Sequence, residues 1–417
     1  MPPLSPVALL FLELATILLA CRLMGAIAGR LGQAPVLGQM VAGVILGPSL
    51  FGLLLPHVQG AVFPAGALAA LNALGQIGVV VYMFCVGVDL DLDFVRRNLP
   101  SGAAIALSGI AMPLALGALL AMALVGDPRF FPQSGHRWVG VVFMAAATAV
   151  TAFPVLARIL TDHGLLGTPV ANLCLVSGSV SDVTAWALLA VALAGLSGPG
   201  AAAIAIVGAV IVTGVIAVGT GPALRRLGLA GDQHAPLSGR HLGALMLLLM
   251  AAALATEVIG IHPAFGAFLL GAACSRHARV RRAAAWLSPL VAELLLPVYF
   301  TYAGLHTMIG LIDSPAVVAI TLAVIAIACL GKGVTCAVAA LLARRAPREA
   351  LAVGVLMNAR GLVELVILTI GLDRGIITPT LFAIMVTMTI ATTLIPSPVL
   401  RWLYPETREH QELQLAA

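Results

Sequence analysis

Charged residues are scarce in this sequence. Only 9% of the 417 residues are Asp, Glu, Lys or Arg, against about a quarter in a soluble domain. Hydrophobic residues make up 61%, more than one globular core buries, so lipid must be the solvent for much of the chain. The net charge of +5 does not indicate nucleic-acid binding, because the basic residues lie in short loops between apolar stretches.

Paired cysteines and the common catalytic motifs are also absent. The sequence has no C-x-x-C pair, and its six cysteines lie in apolar stretches, which excludes a disulfide framework or a metal site. It has no H-E-x-x-H motif, no T-V-G-Y-G channel filter and no nucleophile with its base. We therefore expect neither an enzyme nor a cofactor. The cysteines are Cys21, Cys85, Cys174, Cys274, Cys329 and Cys336.

Long apolar stretches are what the sequence does have. About 20 apolar residues cross a bilayer as a helix, and the first stretch follows a start without the basic residues of a cleaved signal peptide. The expected fold is an all-α polytopic membrane protein with about 13 transmembrane helices. Their approximate centres are residues 16, 44, 78, 112, 149, 182, 210, 249, 268, 299, 328, 361 and 388.

The arginines predict the orientation of these spans. With the N-terminus outside, only Arg129, Arg137 and Arg374 lie in external loops, whereas sixteen arginines lie on the cytoplasmic side, where basic residues concentrate. This bias predicts an odd number of spans in the inner membrane, with a cytoplasmic C-terminus. The sixteen are Arg30, Arg96, Arg97, Arg158, Arg225, Arg226, Arg240, Arg276, Arg279, Arg281, Arg282, Arg344, Arg345, Arg348, Arg401 and Arg408.

Thirteen spans divide into six, one and six. We expect one transmembrane domain over residues 1–417, with repeat one at about 7–198, a linking helix at about 200–220 and repeat two at about 240–402. Residues 403–417 are expected to form a short cytoplasmic tail. An odd spacer gives the two repeats opposite orientations, as in many secondary transporters, whose sites form where equivalent helices are broken near the midplane.

The fifth span of each half is interrupted by residues that disfavour a helix. In the first half Pro154 removes a backbone donor, while Thr148 and Thr151 can satisfy freed backbone groups or face a cation. In the second half the run from Asn358 through Glu364 brings polar and charged residues into an apolar helix. The matched positions predict a site at crossed, discontinuous helices.

Two charges lie at the centres of their spans. Asp182 can hold a cation when ionised or a proton when neutral, and one group that binds either ion couples the two fluxes. Lys332 lies too deep to reach the membrane surface, so it either neutralises a core carboxylate or cycles protons. For both residues the alternative is an ion pair that serves helix packing alone. Intramembrane charges usually mark a pathway or an internal pair.

The remaining buried charges favour structural roles. Arg360 and Glu364 are four residues apart on one helix and are expected to pair with each other; the role of Glu364 beyond this stays open. Glu13 and Glu293 lie nearer the ends of their spans, which favours structural or peripheral positions.

Several segments together resemble the monovalent cation:proton antiporter superfamily, in the branch of the bacterial Kef-type and plant cation/proton exchangers. The resemblance runs over nearly the whole chain, and the order of the segments is more specific than any one of them. The segments are Gly38 to Ser49, Thr151 to Leu160, Ile261 to Gly271, Leu296 to Leu305 and Met357 to Leu365.

The resemblance implies a sodium/hydrogen exchanger-like domain with a scaffold part and a mobile core that moves like an elevator. It also implies a homodimer. Asp182 matches the family's ion-binding aspartate, which would hold a monovalent cation, Na⁺ or K⁺. Lys332 matches the core lysine, and Thr148 and Thr151 are expected in the unwound stretch of the fifth span.

Two departures qualify this resemblance. The residue before the aspartate is usually Asp, Asn or Gln in the family, but here it is Ser181, which cannot form a salt bridge with Lys332. Its hydroxyl can still serve a cation or Lys332, and this favours electroneutral one-for-one exchange. The sequence also has no nucleotide-binding domain of the kind that Kef systems carry.

Two other interpretations of the sequence remain. One is a sodium-coupled symporter of a small organic anion on a similar inverted-repeat fold, although the alanine-rich core and the Ser181–Asp182 pair favour a small cation. The other is a membrane sensor that transports nothing, so loss of Asp182 would change no transport activity.

Overall fold

The computed structural model describes residues 5–90, 92–133, 137–196, 199–229 and 238–404, and in these ranges the regular structure is helical throughout. The all-α prediction is confirmed. The α-helices are α1 (Pro6–Arg30), α2 (Pro35–Leu46), α3 (Phe51–Leu54), α4 (Pro56–Val62), α5 (Leu68–Asp89), α6 (Leu92–Leu124), α7 (Arg137–Ala149), α8 (Phe153–Asp162), α9 (Pro169–Leu196), α10 (Pro199–Arg226), α11 (Gly239–Val258), α12 (Pro263–Cys274), α13 (Ala278–Leu290), α14 (Leu296–Leu305), α15 (Pro315–Leu342), α16 (Pro347–Leu356), α17 (Leu362–Asp373), α18 (Pro379–Leu394) and α19 (Pro396–Leu403).

Eleven helical stretches of the described residues are long and apolar enough to cross a membrane. The two other predicted spans fall on shorter helices. One is α12, with 12 residues, and the other is the pair α16 and α17, with 10 and 12 residues. The total of thirteen spans therefore stays a prediction.

Proline and hydroxyl side chains set the start of many helices. Proline occupies the first turn of α1, α2, α15 and α18, where its missing N–H is not needed. Ser314 accepts a hydrogen bond from Val317 N at 3.4 Å, and Thr378 accepts one from Leu381 N at 3.3 Å. These caps satisfy backbone donors that the helix itself leaves free.

The chain divides into two compact units. The first comprises Met1–Ala65, Arg97–Leu189 and Ala303–Ala417, and the second comprises Gly66–Arg96 and Ala190–Tyr302. Every residue predicted for the site lies in the first unit. This division is not the division into inverted repeats, which stays a prediction.

A buried apolar cluster holds part of the first unit together. It joins Leu156 of α8, Cys174 of α9, Cys336 of α15 and Leu356 of α16, each with no exposed surface. Tight packing of this kind fixes α8 and α16, each of which has one end at a break in the helical structure.

In the second unit α5 and α12 approach backbone to backbone. A Cβ on Gly87 of α5 would lie 2.3 Å from Phe268 O of α12, so only glycine permits this contact. Small residues at such crossings are typical of membrane helices. A π-helical turn, Val291–Leu295, separates α13 from α14, and Glu293 lies in it with an exposed side chain.

Candidate functional site

Two broken helices meet at the centre of the first unit. The helix α7 ends at Ala149 and α8 begins at Phe153; α16 ends at Leu356 and α17 begins at Leu362. Ala152 N donates to Ala359 O at 3.0 Å, and Thr151 Oγ1 donates to Met357 O at 3.2 Å. The two non-helical segments therefore satisfy part of each other's backbone, as membrane burial requires. The prediction of two discontinuous helices that cross is confirmed.

A glycine permits the close approach of the second break to α8. A Cβ on Gly361 would lie 2.6 Å from Val155 Cγ2, which is too close for a real contact. Pro154, in the first turn of α8, lacks the N–H that would continue the helix from α7. The sequence thus encodes both breaks locally, one by proline and one by glycine after a polar run.

Two basic side chains cover the carboxyl end of α7. Arg360 donates to Ala147 O at 2.9 Å and to Thr148 O at 2.6 Å, and Lys332 donates to Ala149 O. The last carbonyls of a helix lack intrahelical partners and carry partial negative charge. Basic side chains at this position donate hydrogen bonds to these carbonyls and balance their partial negative charge. This explains why Arg360 and Lys332 are tolerated with no exposed surface.

Arg360 also pairs with Glu364, as predicted, but the two residues are not on one helix, because Arg360 lies in the break before α17. Its NH1 lies 2.8 Å from Glu364 Oε1, and both side chains are fully buried. The backbone of Arg360 is held as well, since Thr393 Oγ1 lies 3.1 Å from both Arg360 N and Arg360 O. The pair is therefore neutral in sum and rigidly placed beside the break.

Asp182, on α9, faces the amino end of α8. Its Oδ2 accepts from Phe153 N at 3.3 Å, and its side chain is 1% exposed. The amino end of a helix favours negative charge. The other oxygen, Oδ1, has no hydrogen-bond partner among the described residues. Asp182 thus presents one held oxygen and one free oxygen beside the amino end of α8.

Ser181 connects the lysine to the first break. Its hydroxyl donates to Ala149 O at 3.1 Å and accepts from Lys332 Nζ at 3.4 Å. The ion pairs formed by described residues do not include one between Lys332 and Asp182. The geometry agrees with one of the two expected roles of the serine hydroxyl, contact with Lys332; the other, contact with a cation, stays a prediction.

The two threonines differ in position. Thr151 lies in the non-helical stretch, as expected, but Thr148 lies in the last turn of α7, so its expected place in the unwound stretch is wrong. The Thr148 hydroxyl is within hydrogen-bond distance of Pro113 O, Met144 O and Ala145 O at 2.9–3.0 Å. Two of these acceptors, Met144 O and Ala145 O, belong to α7 itself.

Sequence reasoning undervalued Asn358 and Glu13. Asn358 was read only as an interruption, yet its side-chain oxygen is buried without a partner among the described residues. Glu13 was expected near a span end, but it is fully buried on α1, and its carboxylate oxygens have no partner in the described part of the chain. For Glu13 the signal available in the sequence was a lone charged residue in an apolar span.

Comparison with known proteins gives consistent matches over the whole chain. The family described as "Sodium/hydrogen exchanger, transmembrane" matches residues 15–404. The chain is 37% identical to "Na(+)/H(+) antiporter NhaS4" of Synechocystis over 95% of its own length and 97% of that protein. It is 34% identical to "Cation/H(+) antiporter 17" of Arabidopsis thaliana over 95% of its length, but spans only 48% of that relative.

A solved structure shows the same fold. The sodium proton antiporter MjNhaP1 from Methanocaldococcus jannaschii aligns with a TM-score of 0.66 and 16% sequence identity, and the alignment covers 96% of this chain and 98% of that one. At this identity the likeness concerns the fold alone.

Proposed function

Because this chain belongs to the family of transmembrane sodium/hydrogen exchangers, we propose that it exchanges a monovalent alkali cation, Na⁺ or K⁺, for protons across the membrane. The observation that carries the proposal is Asp182. It is a buried carboxylate at the crossing of two broken helices, with one oxygen on the amino end of α8 and the other unpartnered. A site of this kind suits a small cation that sheds its water for protein oxygens.

In the proposed mechanism, cation and proton compete for Asp182. The ionised carboxylate binds a cation at Oδ1 while Oδ2 keeps its hydrogen bond to Phe153 N. Protonation removes the negative charge and with it the affinity for the cation. If only the occupied forms permit alternating access, each cation that leaves must be replaced by a proton, which couples the two gradients.

The charges around Asp182 favour one-for-one exchange. Lys332 is held by Ala149 O and the Ser181 hydroxyl, and neither partner gains or loses a proton in the cycle. Arg360 and Glu364 pair with each other. Provided that Lys332 keeps its own proton, Asp182 alone changes its occupant, so one proton replaces one monovalent cation and no net charge moves. We also propose that the protein lies in the inner membrane with its N-terminus outside, and that it forms a homodimer. Native mass spectrometry tests the dimer.

Everted membrane vesicles test the exchange. Respiration acidifies the lumen and quenches a pH-sensitive dye, and NaCl, KCl or LiCl is then added to vesicles from a strain without its own antiporters. We expect one of these cations to restore the fluorescence in wild type but not in Asp182→Asn, which keeps the shape of the side chain and removes its charge.

The matched control is Asp162→Asn, which removes a carboxylate that is 33% exposed and paired with Arg158 outside the site. It should exchange like wild type. Absence of any response between pH 6 and 9, from wild-type protein shown to be folded and inserted, would overturn the proposal and bring the symporter reading forward.

A further inference from the structure

Asn358 carries a buried oxygen that the rest of the described chain does not use. It lies in the break between α16 and α17 and is 5% exposed. Its Nδ2 donates to Gly354 O at 3.3 Å, whereas Oδ1 has no partner among the described residues. The reverse orientation would place two oxygens against each other, so the hydrogen bond fixes which atom is free. A buried carbonyl oxygen without a donor is costly and calls for an explanation.

The amide belongs to the same crossing as Asp182. Thr151 and Ala152 of the first break donate to Met357 O and Ala359 O, on either side of Asn358, and the next residue, Phe153, donates its N–H to Asp182 Oδ2. Asn358 therefore lies between two residues that are hydrogen-bonded to the segment preceding α8, and Asp182 contacts the amino end of that same helix. Buried side-chain oxygens without a donor among the described residues thus lie on Asp182, Asn358 and Glu364 at this crossing, and that of Asn358 is the neutral one.

Packing holds the Asn358 amide in place. A Cβ on Gly333 would lie 2.7 Å from Asn358 Nδ2, and one on Gly354 would lie 2.3 Å from Gly333 O. The amide is therefore seated against α15, one residue after Lys332, where two glycines bring α15 and α16 together. A side chain fixed in this way is preorganised, and preorganised oxygens discriminate between ions of different size better than mobile ones.

We propose that Asn358 Oδ1 is a neutral ligand of the alkali cation that Asp182 binds, and that it helps to decide which cation is accepted. The inference rests on the proposed exchange. A hard cation prefers oxygen ligands, and amide carbonyls are common among them. A neutral oxygen adds coordination without adding charge, so Asn358 acts on the cation half of the cycle and leaves the proton half with Asp182.

The decisive variant is Asn358→Leu, which has a similar volume and no oxygen. In the vesicle assay we expect the half-maximal concentration of the transported cation to rise at least about tenfold, with a changed ratio between Na⁺, K⁺ and Li⁺. The purified variant should also lose most of the cation-induced rise in its unfolding temperature. Thr369→Val is the matched control, because Thr369 is 1% exposed on α17 and its hydroxyl likewise lacks a partner among the described residues; it should match wild type in both measurements.

A second variant keeps the inference testable if Asn358→Leu does not fold. Asn358→Gln keeps an amide but displaces its oxygen, so it should fold and show altered relative rates for the three cations. Wild-type half-maximal concentrations and selectivity in Asn358→Leu, or in Asn358→Gln if the leucine variant is unfolded, would overturn the inference. These results leave the exchange itself intact, whereas a lack of any cation response in wild type would refute the proposed function.

Discussion

Arg360 bonds to several different elements of the site. Its guanidinium binds Glu364 and the carbonyls of Ala147 and Thr148, so one side chain joins both broken helices. A planar guanidinium donates in several directions at once, which the ammonium of lysine cannot do in the same geometry. The contacts support the structural role expected of Arg360.

The substitution Arg360→Ala should destabilise the protein strongly. It leaves Glu364 buried without its counter-charge and frees two carbonyls at the end of α7. Breaking a buried pair by removing one partner costs about 3–5 kcal/mol. We expect a large fall in unfolding temperature, measured on purified protein in detergent.

The companion variant separates charge from packing. Replacing both partners, as in Arg360→Met with Glu364→Leu, should recover part of the loss, because no unpaired charge remains. Equal stability of Arg360→Ala and wild type would contradict the structural role.

Three ends of the half-helices lie beside charged side chains. The carboxyl end of α7 meets Arg360 and Lys332, and the amino end of α8 meets Asp182. Glu364 lies in the first turn of α17, where negative charge is favoured. Each ionised group thus lies at a helix end of suitable polarity, which lowers the cost of keeping charges inside a bilayer.

The close crossing of these elements predicts the effect of Gly361→Ala. The added methyl would clash with Val155, and overpacking of this kind costs about 1–3 kcal/mol. We expect lower transport and a lower unfolding temperature, both partly restored by adding Val155→Ala. Gly29→Ala on α1, where a Cβ would meet no atom within 4 Å, is the control and should behave as wild type. No rescue by Val155→Ala would argue against the steric cause.

At the scale of the whole molecule, the proposed orientation can be tested with single cysteines. Gly126→Cys and Ala346→Cys occupy exposed positions that the arginine distribution assigns to opposite sides. Five native cysteines are buried and Cys329 is partly buried, so the background of labelling should be low. In intact cells an impermeant maleimide should label Gly126→Cys but not Ala346→Cys until the membrane is opened. The reverse pattern would overturn the orientation.

The two breaks were predictable because their causes are local. Pro154 and the polar run from Asn358 to Glu364 are visible in one dimension, and so is the i, i+4 pairing of Arg360 with Glu364. Asp182 is also recognisable from the sequence, because charged residues are rare in the middle of apolar helices.

The partners across helices were not predictable. That Lys332 and Arg360 bind the carbonyls of α7 depends on which spans cross, and periodicity does not contain that information. The expected place of Thr148 is wrong because α7 continues through Ala149, where these contacts cover its carboxyl end. Asn358 and Glu13 were undervalued for the same reason, since burial without a partner is a property of the packed molecule.

Competition between cation and proton at Asp182 is the central claim, and cation binding by purified protein at a series of pH values tests it most directly. For one-for-one competition, the half-saturating cation concentration should rise about tenfold for each unit that the pH falls in the acidic range, with protons released on binding. Asp182→Asn should neither bind the cation nor release protons. A half-saturating concentration that does not change with pH, or unchanged proton release in Asp182→Asn, would contradict the account.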